Sequence, residues 1–441
     1  MDYIFISNMK LAFIGSGYVG LTTGACFASL GHHVICQDID EQKIKKLKKG
    51  ECTIFEPDLE ELLGNGIASG NLEFTTDIER TIKESEIIFI CVNTPPKEDG
   101  HADLKFVEMV ARDIARNLNG YKIIVDKSTV PIRTAEKVKE TIERYSNKKM
   151  EFDVVSNPEF LREGNAVFDI LNPDRVVIGA ENERSKNIMI KLYESLIKNK
   201  KIFVKITSVK SAELIKHGAN TFLSAKISFA NLIAEVCENA GADASEVLEA
   251  IGLDERIGKQ FLRPGIGFGG SCFPKDINAF KKTLEVFGVD HSFIDAIENI
   301  NNKAVERFIK KIEKTLWVLD GKSLCVLGLS FKPDTDDIRN SPALKIIQYL
   351  KNNGVKIHAH DPKAMPKVRV VFPEVSFFEN PYDAASGCEA LIVCTEWEEY
   401  KNLDLKKLYS LMVTPIIFDG RNIFSEKKAK KIGFGYFGVG K

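Results

Sequence analysis

Gly15-Ser16-Gly17-Tyr18-Val19-Gly20 is the stretch that decides the fold of this 441-residue chain. The strand-like run Lys10–Ile14 precedes it, and a helical pattern follows it. In this setting the first glycine allows a tight turn, the second admits a ligand close to the backbone, and the third lets helix and strand pack. The helix N-terminus offers its N–H groups to phosphate. The stretch therefore predicts a strand–turn–helix unit that binds the pyrophosphate of a dinucleotide.

An acidic residue, Asp38, follows the second strand-like run, His33–Gln37. It stands where a dinucleotide-binding fold places an acceptor for the adenosine ribose hydroxyls. Its charge would repel a 2′-phosphate, so we expect NAD rather than NADP, and Lys43 nearby weakens this preference slightly. A glycine turn without a nucleotide is the alternative. Strand, helix and acidic residue all stand in the expected order, which argues against it.

Strand-like and helical patterns alternate through the first third of the chain, which is typical of a parallel sheet wrapped by helices. The predicted strands are Lys10–Ile14, His33–Gln37, Glu86–Val92, Lys122–Lys127 and Asp153–Ser156. The last third repeats this order, with similar runs at Leu324–Leu329, Val355–Pro362 and Ala390–Thr395. This second unit lacks the three-glycine turn and has a longer first connection, Phe331–Arg339. We therefore expect a different ligand or binding mode there.

One long helix is predicted between the two units. Residues 208–240 contain few helix breakers and carry apolar residues at helical spacing, with Gly218 as a weak point. A helix of this length is suited to joining two domains and to forming an oligomer core. The chain as a whole predicts an α/β fold, with two Rossmann-like doubly wound domains joined by a central long-helix region.

The composition is that of an ordinary soluble globular protein, with 44% hydrophobic and 28% charged residues. A formal net charge of −1 argues against nucleic acid or a membrane surface as a partner. Apolar runs stay below the ~18 residues of a membrane span, and Met1–Asn8 lacks the features of a signal peptide. We therefore expect a cytoplasmic protein.

The nine cysteines form no CxxC pair and no cluster with histidine, so we expect no metal site. Four of them lie in apolar strand-like runs and are predicted to be small buried hydrophobic residues: Cys36, Cys91, Cys325 and Cys394. Cys272 differs, because it follows the glycine-rich run Gly265–Gly270 and precedes Lys275 and Asp276. Such a loop beside a cation favours a nucleophilic thiolate. With the dinucleotide turn, this predicts an oxidoreductase that forms a covalent thioester.

Three further segments carry polar side chains at positions suited to a ligand. Asp126–Pro131 and Ser156–Gly164 follow strands, at the sheet edge where open α/β sheets bind ligands. Glu213–Asn220 places Lys216 and Asn220 four residues apart, so that one helix face presents an ammonium and a carboxamide.

Each of these residues also has a purely structural interpretation. Lys216 and Asn220 could be ordinary helix surface, and Glu159 with Glu163 could be a pair favoured by a helix dipole. Asp276 could cap a helix that starts at Ile277. For His217, beside Lys216 on a different helix face, we predict a packing role.

The ordered set of motifs resembles the UDP-glucose/GDP-mannose dehydrogenase family of nucleotide-sugar 6-dehydrogenases, from about Lys10 to Arg421. The motifs are GSGYVG, VNTP at Val92–Pro95, STVP, NPEFLREG, ELIKHGAN, GFGGSCFPKD and FKPDTDDIR. The resemblance implies a four-electron oxidation of a sugar C6 alcohol to a carboxylate with two NAD, through a Cys272 thiohemiacetal and thioester. It also implies a homodimer or higher homo-oligomer.

The resemblance further implies a division of the chain and of its site residues. The domains would be 1–207 for NAD, 208–306 for the central helical dimerisation region with the cysteine loop, and 307–441 for the UDP-sugar. The implied catalytic residues are Cys272, Lys216, Asn220, Asp276, Glu159 and Thr129. The implied cofactor-binding residues are Gly15, Gly17, Tyr18, Val19, Gly20, Asp38, Lys43, Thr94, Thr129, Glu163, Lys275 and Arg339. The implied substrate-binding residues are Glu159, Phe160, Leu161, Lys216, Asn220, Arg256, Phe261, Leu262, Gly267, Lys332 and Arg421.

Within this family the sugar remains open. Thr221–Phe229 and Phe261–Gly265 resemble the branch that oxidises UDP-glucose, but neither decides the volume near the sugar C2. A UDP-N-acetylhexosamine is the alternative substrate. A non-catalytic sensor of NAD or a nucleotide sugar is a hypothesis from another class, and the intact Cys272, Lys216 and Asp276 argue against it.

Overall fold

The computed structural model describes residues 8–95, 97, 100–146, 150–199 and 202–441. They form two compact units, one that runs up to Ala219 and includes Asn278–Phe287, and the other of Asn220–Ile277 with Gly288–Lys441. The strands are β1 (Lys10–Ile14), β2 (His33–Gln37), β3 (Leu72–Thr75), β4 (Ile87–Ile90), β5 (Lys122–Asp126), β6 (Phe152–Ser156), β7 (Arg175–Gly179), β8 (Phe203–Thr207), β9 (Ser323–Leu327), β10 (Lys356–His360), β11 (Ser376–Phe377), β12 (Ala390–Val393), β13 (Ile416–Asp419) and β14 (Gly435–Gly438).

The helices lie between these strands and in the central region. They are α1 (Tyr18–Ser29), α2 (Glu41–Leu47), α3 (Leu59–Ala68), α4 (Ile78–Glu84), α5 (Lys105–Asn117), α6 (Thr134–Tyr145), α7 (Ala166–Leu171), α8 (Glu183–Leu192), α9 (Glu194–Asn199), α10 (Val209–Ala240), α11 (Ala244–Gly252), α12 (Cys272–Val286), α13 (Ser292–Leu316), α14 (Pro342–Asn352), α15 (Met365–Val371), α16 (Pro381–Ala385), α17 (Glu398–Lys401), α18 (Leu405–Leu411) and α19 (Glu426–Ile432). Within the described ranges, none of the helices has the length and apolar character that a bilayer crossing requires.

The sheet of the first unit has the strand order β3-β2-β1-β4-β5-β6-β7-β8. Its first six strands follow the Rossmann order: β2 and β3 are added on one side of β1, and β4, β5 and β6 on the other. All neighbours are parallel except β6 and β7. The predicted strands are confirmed as β1, β2, β4, β5 and β6, with ends that shift by at most two residues. The sequence interpretation did not include β3, β7 and β8.

Residues of β1 are buried on both faces of this sheet. Leu11 and Phe13 pack in the core on one face, and Ala12 and Ile14 pack in the core on the other. Burial on both faces is why a parallel strand reads as continuously apolar. Gly15 follows Ile14, the last residue of β1, and therefore lies at the carboxyl edge of the sheet.

The second unit repeats the arrangement, with the order β11-β10-β9-β12-β13-β14 and parallel neighbours throughout. This confirms the two predicted Rossmann-like units. The first connection is longer here, as predicted, because residues 328–341 separate β9 from α14 while residues 15–17 separate β1 from α1.

The predicted long helix is confirmed as α10, which is continuous over 32 residues. The predicted buried cysteines are also confirmed, since Cys36, Cys91, Cys325 and Cys394 are all buried. Burial raises the pKa of Cys91 and of Cys394 to about 12, so these thiols stay protonated at neutral pH.

Candidate active site

The three glycines of the turn differ in what surrounds them. Gly15 has a positive φ of 101°, and a Cβ there would lie 2.8 Å from the Cys91 carbonyl oxygen. A Cβ on Gly20 would lie 2.0 Å from the Gly15 carbonyl oxygen. A Cβ on Gly17, in contrast, would have Asn93 Oδ1, 3.9 Å away, as its nearest contact apart from its own neighbours in the chain. Close packing within the protein therefore explains the glycines at positions 15 and 20. Gly17 instead leaves open the space that a pyrophosphate needs, so the turn fits a dinucleotide.

Asp38 supports this turn from the end of β2 and is 8% exposed. Its Oδ2 accepts from the Ser16 N–H at 3.0 Å and from Lys43 Nζ at 2.7 Å, and its Oδ1 accepts from the Asp40 N–H at 3.1 Å. The structure thus brings the predicted Asp38 and Lys43 together as an ion pair. Lys43 offsets part of the charge that would repel a 2′-phosphate.

A chain of contacts links Thr94, Thr129, Glu159 and Lys216 in the first unit. Thr94 Oγ1 donates to the Thr129 carbonyl at 3.0 Å, and Thr129 Oγ1 lies 3.4 Å from Glu159 Oε1. Lys216 Nζ lies 2.9 Å from the same Glu159 oxygen, and the side chains of this ion pair are 5% and 7% exposed. This contact fixes the position of the Lys216 Nζ next to the Glu159 carboxylate.

Phe160 and Leu161 add to the confinement of this pair. The Leu161 N–H donates to Glu159 Oε2 at 3.1 Å. The Phe160 ring lies under the Arg175 guanidinium at 3.9 Å and 5.6 Å from Lys216 Nζ. Glu159 and its neighbours therefore fix where the Lys216 ammonium can lie, and Glu163 is buried in the same loop.

His217 is fully buried, and its ring stacks on Phe280 with the centroids 6.1 Å apart. The predicted packing role is confirmed, and the structure adds a second role. His217 Nε2 lies 2.7 Å from the Val130 carbonyl oxygen, which can accept only if Nε2 carries the hydrogen. One turn earlier, Glu213 accepts from the N–H groups of Arg133 and Ala135 at 2.6 and 3.0 Å. Glu213 and His217 thus hold the turn that carries Thr129, a role that sequence reasoning missed.

In the second unit, Cys272 is the first residue of α12, so the interpretation of Asp276 as the cap of a helix starting at Ile277 is wrong. The helix begins earlier because Pro274 is tolerated in a first turn, where its missing N–H has no intrahelical partner. A helix N-terminus favours a thiolate at Cys272. Its Sγ lies 3.7 Å from Ser271 Oγ.

Asp276 lies on the next turn of α12 and is 1% exposed. Its Oδ2 accepts from Asn220 Nδ2 at 2.6 Å, and Lys275 Nζ lies 3.6 Å from its Oδ1. The structure therefore brings Asn220 of the Glu213–Asn220 segment together with Lys275 and Asp276 of the cysteine loop. The result is a buried carboxylate with an amide and an ammonium beside it.

Two asparagines that no motif marks hold the glycine loop in front of Cys272. Asn301 Oδ1 accepts from the Phe268 N–H at 2.8 Å, and its Nδ2 donates to the Phe268 carbonyl at 3.1 Å. Asn231 Oδ1 accepts from the Gly265 N–H at 2.8 Å. An asparagine on a helix is a common residue, so only its distant partner reveals this role.

Several predicted substrate residues surround the same loop. Arg421 donates to the carbonyls of Cys394 and Gly267 at 2.8 and 3.2 Å. Leu262 is 6% exposed, and Phe261 has a positive φ of 65°. The Lys332 ammonium lies 5.8 Å from the centroid of the Phe331 ring.

Two arginines instead pair with neighbouring aspartates near the surface. Arg339, a predicted cofactor residue, forms two-pronged contacts with Asp337, and its side chain is 60% exposed. Arg256 pairs with Asp254 at 2.5 Å and its side chain is 89% exposed. The structure thus keeps Arg256 out of the interior of its own unit.

Asp361 is the counterpart of Asp38 in the second unit, and it is fully buried. Its Oδ2 accepts from the N–H groups of Leu329 and Ser330 and from Trp397 Nε1, at 2.7, 3.1 and 3.2 Å. Asp361 is fully buried whereas Asp38 is 8% exposed, so the Asp361 carboxylate is closed to a ribose. This explains in physical terms why the second unit calls for another mode of ligand binding.

The dinucleotide turn, with Asp38 at the end of β2 supporting it, indicates an NAD-dependent oxidoreductase. Residues 9–197, 210–303 and 325–426 match the NAD binding domain, the central domain and the UDP binding domain of the UDP-glucose/GDP-mannose dehydrogenase family. The chain belongs to this family.

Three relatives show how widely the likeness extends. The UDP-glucose 6-dehydrogenase TuaD of Bacillus subtilis is 43% identical over 98% of this chain and 93% of its own length. The solved UDP-glucose dehydrogenase of Pyrobaculum islandicum is 36% identical, covers 100% of this chain and 99% of its own, and has a TM-score of 0.92. The UDP-D-ManNAc dehydrogenase of Pyrococcus horikoshii is 29% identical, with coverage of 98% and 99% and a TM-score of 0.85.

Proposed function

We propose that this chain oxidises the C6 alcohol of UDP-glucose to the carboxylate of UDP-glucuronate, with two NAD per sugar. The observation that carries the proposal is Cys272 at the start of α12, with the Asn220–Asp276 pair beginning one turn further along. Relatives named for UDP-glucose at 43% and 36% identity over nearly the whole chain support this substrate.

The reaction comprises two oxidations at C6, and the second one requires a covalent bond between the sugar and the protein. NAD, when bound, accepts the hydride released from C6 in each oxidation. Between the two, the Cys272 thiolate adds to the aldehyde carbon and forms a thiohemiacetal, whose oxidation leaves a thioester. Water then replaces the sulfur, so the sugar leaves as a carboxylate and Cys272 is restored as a thiol. The covalent bond prevents the aldehyde from escaping, which is the reason to use a nucleophile here.

We assign the charge-stabilising roles to Lys216 and Asn220. An ammonium aimed at an oxyanion at C6 in a water-poor site lowers the barrier by about 3 kcal/mol. Burial of Lys216 beside Glu159 supports this role, because its position is set before the reaction. Asp276 would exchange the proton with water, and Thr129 with Glu159 would hold the water that attacks the thioester.

The remaining assignments follow the sequence prediction, including its division into 1–207, 208–306 and 307–441. The cofactor set comprises Gly15, Gly17, Tyr18, Val19, Gly20, Asp38, Lys43, Thr94, Thr129, Glu163, Lys275 and Arg339. The substrate set comprises Glu159, Phe160, Leu161, Lys216, Asn220, Arg256, Phe261, Leu262, Gly267, Lys332 and Arg421. The open space at Gly17 supports the first set.

A homodimer with α10 at its interface is part of the proposal. Phe222, Phe229 and Val236 recur every seven residues on α10, so they share one helix face. They are 66%, 43% and 56% exposed. A second copy of the same stripe would remove this apolar surface from water. We also propose a cytoplasmic location, which all nine cysteines support because they are present as thiols.

The test is the stoichiometry of NADH formation with a panel of nucleotide sugars. We expect two NADH per UDP-glucose, and a higher kcat/KM for UDP-glucose than for UDP-N-acetylmannosamine or UDP-N-acetylglucosamine. Cys272→Ala should abolish acid formation. The matched variant Cys237→Ala removes a buried thiol on α10 and should keep the stoichiometry of two NADH per sugar. No NADH with any nucleotide sugar would favour a sensor. A higher kcat/KM for an N-acetyl sugar would reassign the substrate.

A further inference from the structure

We propose that Glu56 is a positioning residue for the loop that carries Glu159 and Glu163, and that Tyr18 couples this loop to the dinucleotide turn. Glu56 lies between α2 and α3, outside every motif of the sequence interpretation. It is 5% exposed. The catalytic consequence rests on the proposed function, whereas the contacts themselves do not.

The contacts of Glu56 end on two backbone N–H groups of the loop. Its Oε2 accepts from the Gly164 N–H at 2.7 Å, and its Oε1 accepts from the Ala166 N–H at 2.6 Å. Gly164 has a φ of 78°, a conformation that favours glycine and turns both N–H groups toward one carboxylate. Each oxygen of Glu56 therefore has its own donor, and an ionised acceptor makes such bonds strong.

The same loop is held at its other end by the ion pair described above. Glu159 contacts Lys216 Nζ at 2.9 Å and the Leu161 N–H at 3.1 Å. Glu163 lies between the two attachment points and is 6% exposed. Loss of Glu56 would remove two of the contacts that hold the loop, both on the C-terminal side of Glu163, so the position of Glu163 would be less firmly fixed.

Tyr18 provides the link to the cofactor turn. It is the first residue of α1, directly after Gly17, and its hydroxyl oxygen accepts from the Gly164 N–H at 2.7 Å. Glu56 and Tyr18 thus share one donor, and a displacement of the glycine turn is transmitted to the loop. We therefore expect NAD to order residues 159–166 when it binds at the turn.

Hydrogen exchange of the full chain, with and without NAD, tests the contacts independently of turnover. In Glu56→Gln the amide retains one acceptor but turns an NH₂ toward a backbone N–H, so peptides covering residues 159–168 should exchange about 10-fold faster. The matched variant Glu60→Gln removes the same charge from the exposed surface of α3 and should exchange like the wild type. In Tyr18→Phe, NAD should no longer slow exchange in these peptides. Wild-type exchange in Glu56→Gln would overturn the proposal, and so would full NAD protection in Tyr18→Phe.

Steady-state kinetics with UDP-glucose separate positioning from a general effect on folding. We expect kcat per folded Glu56→Gln molecule to fall about 10-fold, while KM for UDP-glucose changes less than about threefold. An unchanged kcat per folded molecule would reduce Glu56 to a purely structural residue and overturn the positioning role. If Glu56→Gln fails to fold, Glu56→Asp carries both measurements, because its shorter side chain keeps the charge but cannot reach both N–H groups. If the wild type forms no NADH, the proposed function fails, while the exchange experiment still decides on the contacts.

Discussion

Gly17 and Gly20 should respond in opposite ways to the same substitution by alanine. At Gly17 the new Cβ has its nearest described neighbour at 3.9 Å, and the residue has φ −80° and ψ −164°, which alanine adopts without strain. At Gly20 the new Cβ would lie 2.0 Å from the Gly15 carbonyl oxygen. The methyl group of Gly17→Ala would occupy the space proposed for the pyrophosphate, whereas the methyl group of Gly20→Ala would clash with the protein backbone.

The magnitudes follow from these distances. Gly17→Ala should raise the free energy of unfolding by about 0.4–1 kcal/mol, because alanine restricts the unfolded chain. It should lower the same free energy by about 1 kcal/mol, because alanine is a poorer N-cap of α1. The stability should therefore stay within about 1 kcal/mol of the wild type. The methyl group displaces a pyrophosphate from its N–H donors, which should weaken NAD binding about 10- to 100-fold. Gly20→Ala forces α1 and the turn apart, a form of overpacking that costs about 1–3 kcal/mol or more.

The assay combines thermal unfolding with NAD titration by tryptophan fluorescence or calorimetry. Gly17→Ala should melt like the wild type and bind NAD poorly, while Gly20→Ala should melt roughly 5 °C lower. Gly64→Ala, at an open position on α3, is the matched control: it should bind NAD like the wild type and melt no lower than the wild type. NAD affinity within about twofold of the wild type in Gly17→Ala would refute the reasoning, because the space at Gly17 would then have no ligand to admit.

Three further predictions concern other parts of the molecule. Asp38→Asn removes the charge that pairs with Lys43 at 2.7 Å, so the ratio of kcat/KM for NADP over NAD should rise about 10-fold or more, and an unchanged ratio would contradict the role of Asp38. Asn301→Ala removes both contacts with the Phe268 backbone and should lower kcat about 10-fold. A wild-type kcat would show that the cysteine loop keeps its conformation without Asn301. Phe222→Asp places a charge on the exposed stripe of α10 and should yield monomers in analytical ultracentrifugation, whereas an unchanged mass would move the dimer interface elsewhere.

Local patterns predicted the elements that are long, fully buried or bounded by clear signals. The boundaries of β1 and β2 and the length of α10 follow from apolar periodicity, which the backbone imposes on neighbouring residues. Three strands of the first unit were missed for physical reasons. β3 has only four residues, β7 follows α7 after the short connection 172–174, and β8 lies at the edge of the sheet, where half-exposed side chains leave little apolar signal. The start of α12 at Cys272 was missed because glycines and Pro274 mask a helix N-terminus.

The sequence by itself determined which chemical groups this protein owns and their spacing along the chain: the glycine turn, the Lys216–Asn220 interval and the cysteine of the glycine loop. Only the tertiary structure decided their partners. Asp276 meets Asn220 across 56 residues, Phe268 meets Asn301 across 33, and Gly164 meets Glu56 across 108. Periodicity arises from the local geometry of the backbone, while a hydrogen bond between distant side chains leaves no period to detect. The reactive groups can therefore be identified from the sequence, whereas the contacts that position them form only when the chain folds.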